Sequence, residues 1–223
     1  MNKKWQVARY LILDFLAAAL SWTIFFIYRK VFIESELFGI DVPVEFTNRY
    51  YLGLAFIPAI WIFFYYITGF YDNIYRRSRL LELGQTFLTS IIGVTVIFFV
   101  LILDDFIHSY KNYYELLFTL FALHFGLTYL FRLVLTTRTI HRIHQRKIGF
   151  NTILIGSNKN AEKIYNEMIS QQRPAGNLFA GFVGLDDNND QIMEKYIPNL
   201  GKTGYLNKII EQNNIEEVII ALE

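Results

Sequence analysis

Hydrophobic positions in the first 135 residues fall into four long runs, with polar positions gathered in short blocks between them. The runs cover residues 10–28, 50–67, 83–103 and 113–135, each close to the ~20 apolar residues a helix needs to cross a bilayer. Four transmembrane helices are predicted, because a helix satisfies its own backbone hydrogen bonds in lipid. The second run carries no charge and has tyrosines at both ends, the pattern of an interfacial belt. Pro58 near its middle reads as a packing feature.

Beyond residue 148 the pattern shortens. Asn151, Thr152, Ile153, Leu154 and Ile155 make a β-branched run that stops at Gly156. A helix over 161–170, a strand over 179–185, a turn at 197–201, a helix over 205–212 and an apolar strand over 217–222 follow. Strands alternating with helices predict a parallel sheet with right-handed crossovers. The fold class read from the pattern is a membrane α-helical bundle followed by an α/β Rossmann-like domain. Three strands are a thin core, so that domain reads as incomplete and the chain as truncated. The expected division is a four-helix domain over 1–137, a basic juxtamembrane linker over 138–150 and the Rossmann-like part over 151–223.

Composition sharpens this picture in three ways. The 53% hydrophobic content and mean hydropathy of +0.28 average two segments suited to two different solvents. A net charge of +1 gives no bulk electrostatic attraction to nucleic acid. The absence of cysteine removes disulfides, thiolate metal sites and a cysteine nucleophile.

The position of the charges orients the runs. Lys3, Lys4, Arg9, Arg76, Arg77, Arg79, Arg138, Arg142, Arg146 and Lys147 fall on one side, and Arg29, Lys30, Arg49 and Lys111 on the other. Lysine and arginine in short loops are retained in the cytoplasm, so both termini are expected there. The basic start reads as a signal anchor, since Asp14 interrupts the apolar stretch and the stretch is too long for a cleaved signal. Residues 29–49, with Glu34, Glu36, Asp41 and Glu45, read as a polar outer connector. Asp104, Asp105 and His108 read as a second outer turn.

Charged groups inside membrane spans need partners. Asp14 and Arg132 each lie about one turn from an inner end and are expected to pair. Glu115 is expected to be solvated at the outer boundary, and His124 to be packed and hydrogen-bonded. No series of carboxylates crosses the bilayer, which disfavours a pump or transporter. His141 and His144 lack an acidic or thiolate neighbour, so the basic linker is expected to contact anionic lipid headgroups and not a metal. Tyr71, Arg76, Arg77 and Glu82, in the connector 69–83, are candidates for docking the α/β part against the membrane. Plain positive-inside retention is the competing reading.

The strand–glycine–helix sequence at 151–170 is the opening of a nucleotide-type unit, in which helix amides meet a phosphate. Gly156, Ser157, Asn158 and Ala161 are the candidate ligand-binding residues. The turn departs from a dinucleotide fingerprint where Asn158 stands in place of glycine, and Asp186 comes 30 positions after Gly156 where ~20 would suit a ribose-binding acid.

These spans, the connector from Gly69 through Arg76 and Arg77 to Leu83, Ile153-Leu154-Ile155-Gly156, Gly181-Phe182-Val183-Gly184 and Glu217-Val218-Ile219-Ile220-Ala221 together resemble the N-terminal region of bacterial polyprenyl glycosylphosphotransferases. The resemblance implies a multi-pass protein of the bacterial inner membrane. It implies a place in exopolysaccharide or O-antigen synthesis, where a sugar 1-phosphate passes from a nucleotide diphosphate sugar to undecaprenyl phosphate. The family's Mg2+-dependent Asp-Glu dyad belongs to a further domain, and no Asp-Glu dipeptide occurs here, so no catalytic residue is carried over. A nucleotide or nucleotide-sugar, the bilayer, anionic headgroups and a second copy are the expected partners. The alternatives are the N-terminal part of a membrane-bound nucleotide-sugar dehydratase, which resembles this arrangement too, and a membrane scaffold or sensor without activity.

Overall fold

The computed structural model describes residues 3–72, 74–101, 110–172, 174–185 and 192–221. Asp104, Asp105, His108, Arg173, Asp186, Asp187 and Leu222 lie outside the described residues. The chain forms two compact units, Asn2–Arg138 and Thr139–Glu223.

In the first unit, α1 (Lys3–Tyr28) is followed without a break by a π-helical stretch (Arg29–Glu34) and α2 (Ser35–Phe38). Then come α3 (Asn48–Ile67), α4 (Arg79–Leu101) and α5 (Tyr110–His144), whose last residues belong to the second unit. Among the described residues, four helices are long and apolar enough to cross a membrane. Their shared core holds Phe25, Ile57, Trp61, Tyr65, Phe70, Val94, Leu116 and Leu120, all buried.

Three expectations change here. The residues expected to form a polar connector continue the first helix to Phe38, and Glu34 bonds both Arg29 (3.2 Å) and Lys30 (2.5 Å) along it, offsetting one of their two charges. The fourth run extends through most of the expected linker to His144, as no glycine or proline interrupts residues 127–148. Glu115 is not simply solvated: it accepts a hydrogen bond from the Tyr28 hydroxyl.

In the second unit, β1 (Phe150–Ile155), α6 (Lys159–Ser170), β2 (Asn177–Gly184), β3 (Asn199–Lys202), α7 (Leu206–Gln212) and β4 (Glu217–Ile220) make a parallel sheet of order β3-β2-β1-β4. Alternate side chains serve opposite faces. Leu154, Phe182 and Ile219 pack with Ala161 and Ile164 of α6, while Ile153, Ile155 and Val183 pack with Leu206, Ile209 and Ile210 of α7. Helices therefore pack on both faces of the sheet, as is usual for parallel sheets, while Val218 and Ile220 of β4 stay exposed.

The strand β3 occupies the expected turn at 197–201. Pro198, Asn199 and Gly201 carry a turn signature, but proline and glycine are tolerated at a sheet edge. Phe182 N–H reaches Pro198 O at 3.0 Å and starts the pairing.

Candidate functional site

The four candidate residues come together at the turn between β1 and α6. The sheet order makes β1 and β4 the point where successive connections leave in opposite directions, the usual ligand crevice of a doubly wound sheet. Gly156 has φ +126°, and a Cβ there would come within 2.5 Å of Ala221 O, at the end of β4. Only glycine suits both constraints. Its N–H donates to Val183 O at 2.9 Å, so the turn is fastened to β2 as well.

Asn158 is the N-cap of α6: its side-chain oxygen accepts the Ala161 N–H at 2.8 Å. Asn158 and Ser157 are buried, and Ala161 lies in the core beneath the helix. The fingerprint position where glycine would let a phosphate approach therefore holds a side chain that satisfies one helix donor itself. Lys159 and Asn160, next along, are exposed and offer a cation and an amide side chain at the helix start.

A second polar site fills the interior of the helical unit; the sequence supplied its Asp14–Arg132 pair and its packed His124, but not the residues around them. Arg132 donates through Nε and one Nη to the two Asp14 oxygens at 2.7 and 2.8 Å, and through the other Nη to Thr86 at 3.0 Å. The rings of Tyr65 and Phe70 lie 3.9 and 3.5 Å from its guanidinium carbon. Tyr71 donates to Asp14 at 2.8 Å, and burial together with that carboxylate pushes the Tyr71 phenol pKa upward. His124 stacks on Trp61 at 3.5 Å between ring centres and bonds Tyr65 through Nε2 at 2.8 Å.

Two helices bring rows of polar side chains to this interior. His124, Thr128, Arg132 and Thr136 recur every four residues on α5, and Glu82, Thr86 and Ser90 recur every four on α4; all are buried. The i+4 spacing puts each set on one face, and that signal was present in the sequence. Thr136 is engaged by Tyr10 at 2.7 Å. Neither oxygen of the fully buried Glu82 makes a hydrogen bond of normal geometry among the described residues.

The same geometry bears on the docking expectation for the connector. Arg77 bonds Gln85 at 2.5 Å and Gly69 O at 3.4 Å, and lies 4.0 Å from the Phe70 ring centre. With Tyr71 on Asp14, both side chains find their partners inside the helical unit, and Glu82 is buried there as well.

In the α/β unit a groove of about 140 Å³ lies against the beginning of β2, at the opposite end of the strands from Gly156. Arg146, Tyr165, Met168, Leu178 and Phe179 line it, and the Arg146 guanidinium is committed to Ile169 O at 2.8 Å. His141 shares a hydrogen bond of 2.6 Å with Gln145. No group of three or more His, Asp or Glu side chains suited to a metal occurs among the described residues.

A family model described as a CoA-binding domain matches residues 66–223, more than half of the chain. The chain belongs to that family. The match takes in the connector after α3, α4, α5 and the whole sheet, so the CoA-binding domain family unites the switch-point turn with two of the long apolar helices. No curated protein matches the chain significantly.

Proposed function

We propose that this chain is the membrane-anchoring and regulatory or structural part of a bacterial sugar transferase that passes a sugar 1-phosphate from a nucleotide-sugar to undecaprenyl phosphate. The observation that carries the reading is the Gly156 turn, placed at the switch point of a parallel sheet within a CoA-binding domain and preceded in the chain by helices of membrane-crossing length. The α/β unit recognises a ligand with a nucleotide-type phosphate at the rim formed by Lys159 and Asn160. When bound, such a ligand supplies the negative charge that a helix start attracts. Asn158 holds the helix start in place while the rim does the binding.

The chain sits in the inner membrane with both termini in the cytoplasm, on the side of its basic blocks. No Asp-Glu dipeptide occurs in the sequence, and no catalytic residue is assigned to it.

Two measurements test the reading. Calorimetric titration of the purified protein with coenzyme A, UMP and a UDP-sugar should give saturable binding to at least one, weakened by Lys159→Ala. Deletion of the reading frame should abolish the transfer of labelled sugar phosphate to undecaprenyl phosphate in isolated membranes. Unchanged transfer overturns the assignment to this reaction, and absence of all three binding signals overturns the ligand role of the α/β unit.

A further inference from the structure

The first helix is longer than a membrane requires. It runs from Lys4 to Phe38, 35 residues, or ~52 Å at the α-helical rise, against a hydrocarbon core of ~30 Å. Lys4 and Arg9 keep its first turns out of that core. Counting ~20 residues from Tyr10 brings the chain to the far boundary near Arg29, where Tyr28 is tied to Glu115 of α5. The π-helical stretch and α2 lie beyond that point.

This overhang is not polar in character. The exposed stripe Ile12, Leu16, Leu20, Ile24 and Ile27 continues at helical spacing into Val31, and the apolar exposure goes on through Phe32, Phe38 and Ile40. Phe38 and Ile40 are 62% and 67% exposed, more than any residue of the preceding stripe. Arg29 and Lys30 both pair with Glu34, which offsets one of their two positive charges. The returning chain is fastened to the helix by Val42 N–H on Ser35 Oγ at 3.0 Å, and Phe46 packs on Tyr50 at 4.7 Å between ring centres. Glu36, Asp41 and Glu45 remain exposed and carry the charge.

We infer that residues 31–46 form an interfacial anchor: Val31, Phe32, Phe38, Ile40 and Phe46 enter the headgroup and upper acyl layer, while Glu36, Asp41 and Glu45 face water. The occupant of this apolar surface is the lipid bilayer, because the surface is the direct continuation of the outward face of α1. An apolar patch of this kind in water would be costly. Interfacial segments bury such faces ~5–10 Å into the headgroup boundary. The inference rests on the reading that α1 crosses the bilayer.

The full chain has no cysteine, so single substitutions introduce a unique attachment point for a nitroxide. Leu20→Cys, Glu36→Cys, Phe38→Cys, Ile40→Cys and Asp41→Cys are labelled in phosphatidylcholine–phosphatidylglycerol vesicles, and collision with oxygen is compared with collision with a water-soluble nickel chelate. Oxygen collisions should dominate at positions 38 and 40 and nickel collisions at 36 and 41. Dominant nickel collision at 38 and 40 with oxygen dominant at 20 overturns the anchor and leaves the span intact. Low collision with both reagents at 38 and 40 overturns it in favour of cover by another protein chain. Loss of oxygen dominance at 20 overturns the span and the anchor with it.

Discussion

Asp14 and Arg132 stand 118 positions apart in sequence and form a two-pronged ion pair with neither side chain more than 1% exposed. Such a pair offsets the cost of burying either charge only while both partners remain, and breaking it leaves one charge without compensation. Asp14→Asn should therefore destabilise the helical unit by about 3–5 kcal/mol, while Asp14→Leu combined with Arg132→Met should restore much of the loss. Denaturant unfolding in detergent micelles measures both. A double variant as unstable as the sum of its singles would show that the pair itself contributes nothing.

Gly93 lies directly against Trp61, where a Cβ would sit 2.3 Å from the indole ring, and Trp61 in turn stacks on His124. Gly93→Ala should cost about 1–3 kcal/mol through overpacking and shift the tryptophan emission. At Gly84 and Gly126 a Cβ meets nothing within 4 Å. Alanine at those two sites should leave unfolding unchanged or slightly later, as alanine is the better helix former. Equal responses at Gly84 and Gly93 would contradict the packing seen here.

Removing the helix cap at the candidate ligand turn should have a modest cost. Asn158→Ala frees the buried Ala161 amide and should lower stability by ~1 kcal/mol, whereas Asn158→Asp should retain most of it. Hydrogen exchange of the amides at the start of α6 reads the difference locally.

Tyr196 donates to the Glu162 carboxylate at 2.8 Å, and that bond raises the phenol pKa above its ordinary value of 10.0. A phenol with a raised folded-state pKa binds its proton more tightly in the native state. Its contribution is thus whole below about pH 10 and is lost as pH climbs through the folded pKa. Glu162→Gln should bring the Tyr196 transition to lower pH in a difference titration of tyrosinate absorbance. No displacement between the two titrations would rule out the bond.

The proposed orientation of the spans rests on the basic blocks and can be checked directly. Ser78→Cys and Arg79→Cys, at exposed positions beside α4, should react with an impermeant maleimide only after the inner face is opened. Lys111→Cys should react in intact cells. The opposite pattern would reverse the proposed topology.

By itself the sequence determined which segments are long apolar helices and which form a parallel α/β sheet, because run length and the change of period act locally along the chain. It also pointed to the Asp14–Arg132 pair, since two opposite charges at equal depth in lipid have few other options. It placed Gly156, Ser157, Asn158 and Ala161 on a strand–helix turn. Tertiary structure decided what these residues do there. Asn158 spends its side chain on capping, and Gly156 is required by Ala221, 65 positions away.

Only packing also revealed that Tyr71 and Arg77 turn into the helical unit, that Glu34 pairs with both Arg29 and Lys30, and that residues 199–202 pair as an edge strand. Tyr71 depends on a partner distant in sequence, Arg77 and Glu34 on the course of the chain a few residues away, and the edge strand on a balance between local turn preference and sheet pairing. Hydrophobic period carries no information about which partner a polar side chain will find, and that choice is settled by the three-dimensional arrangement of the helices and strands.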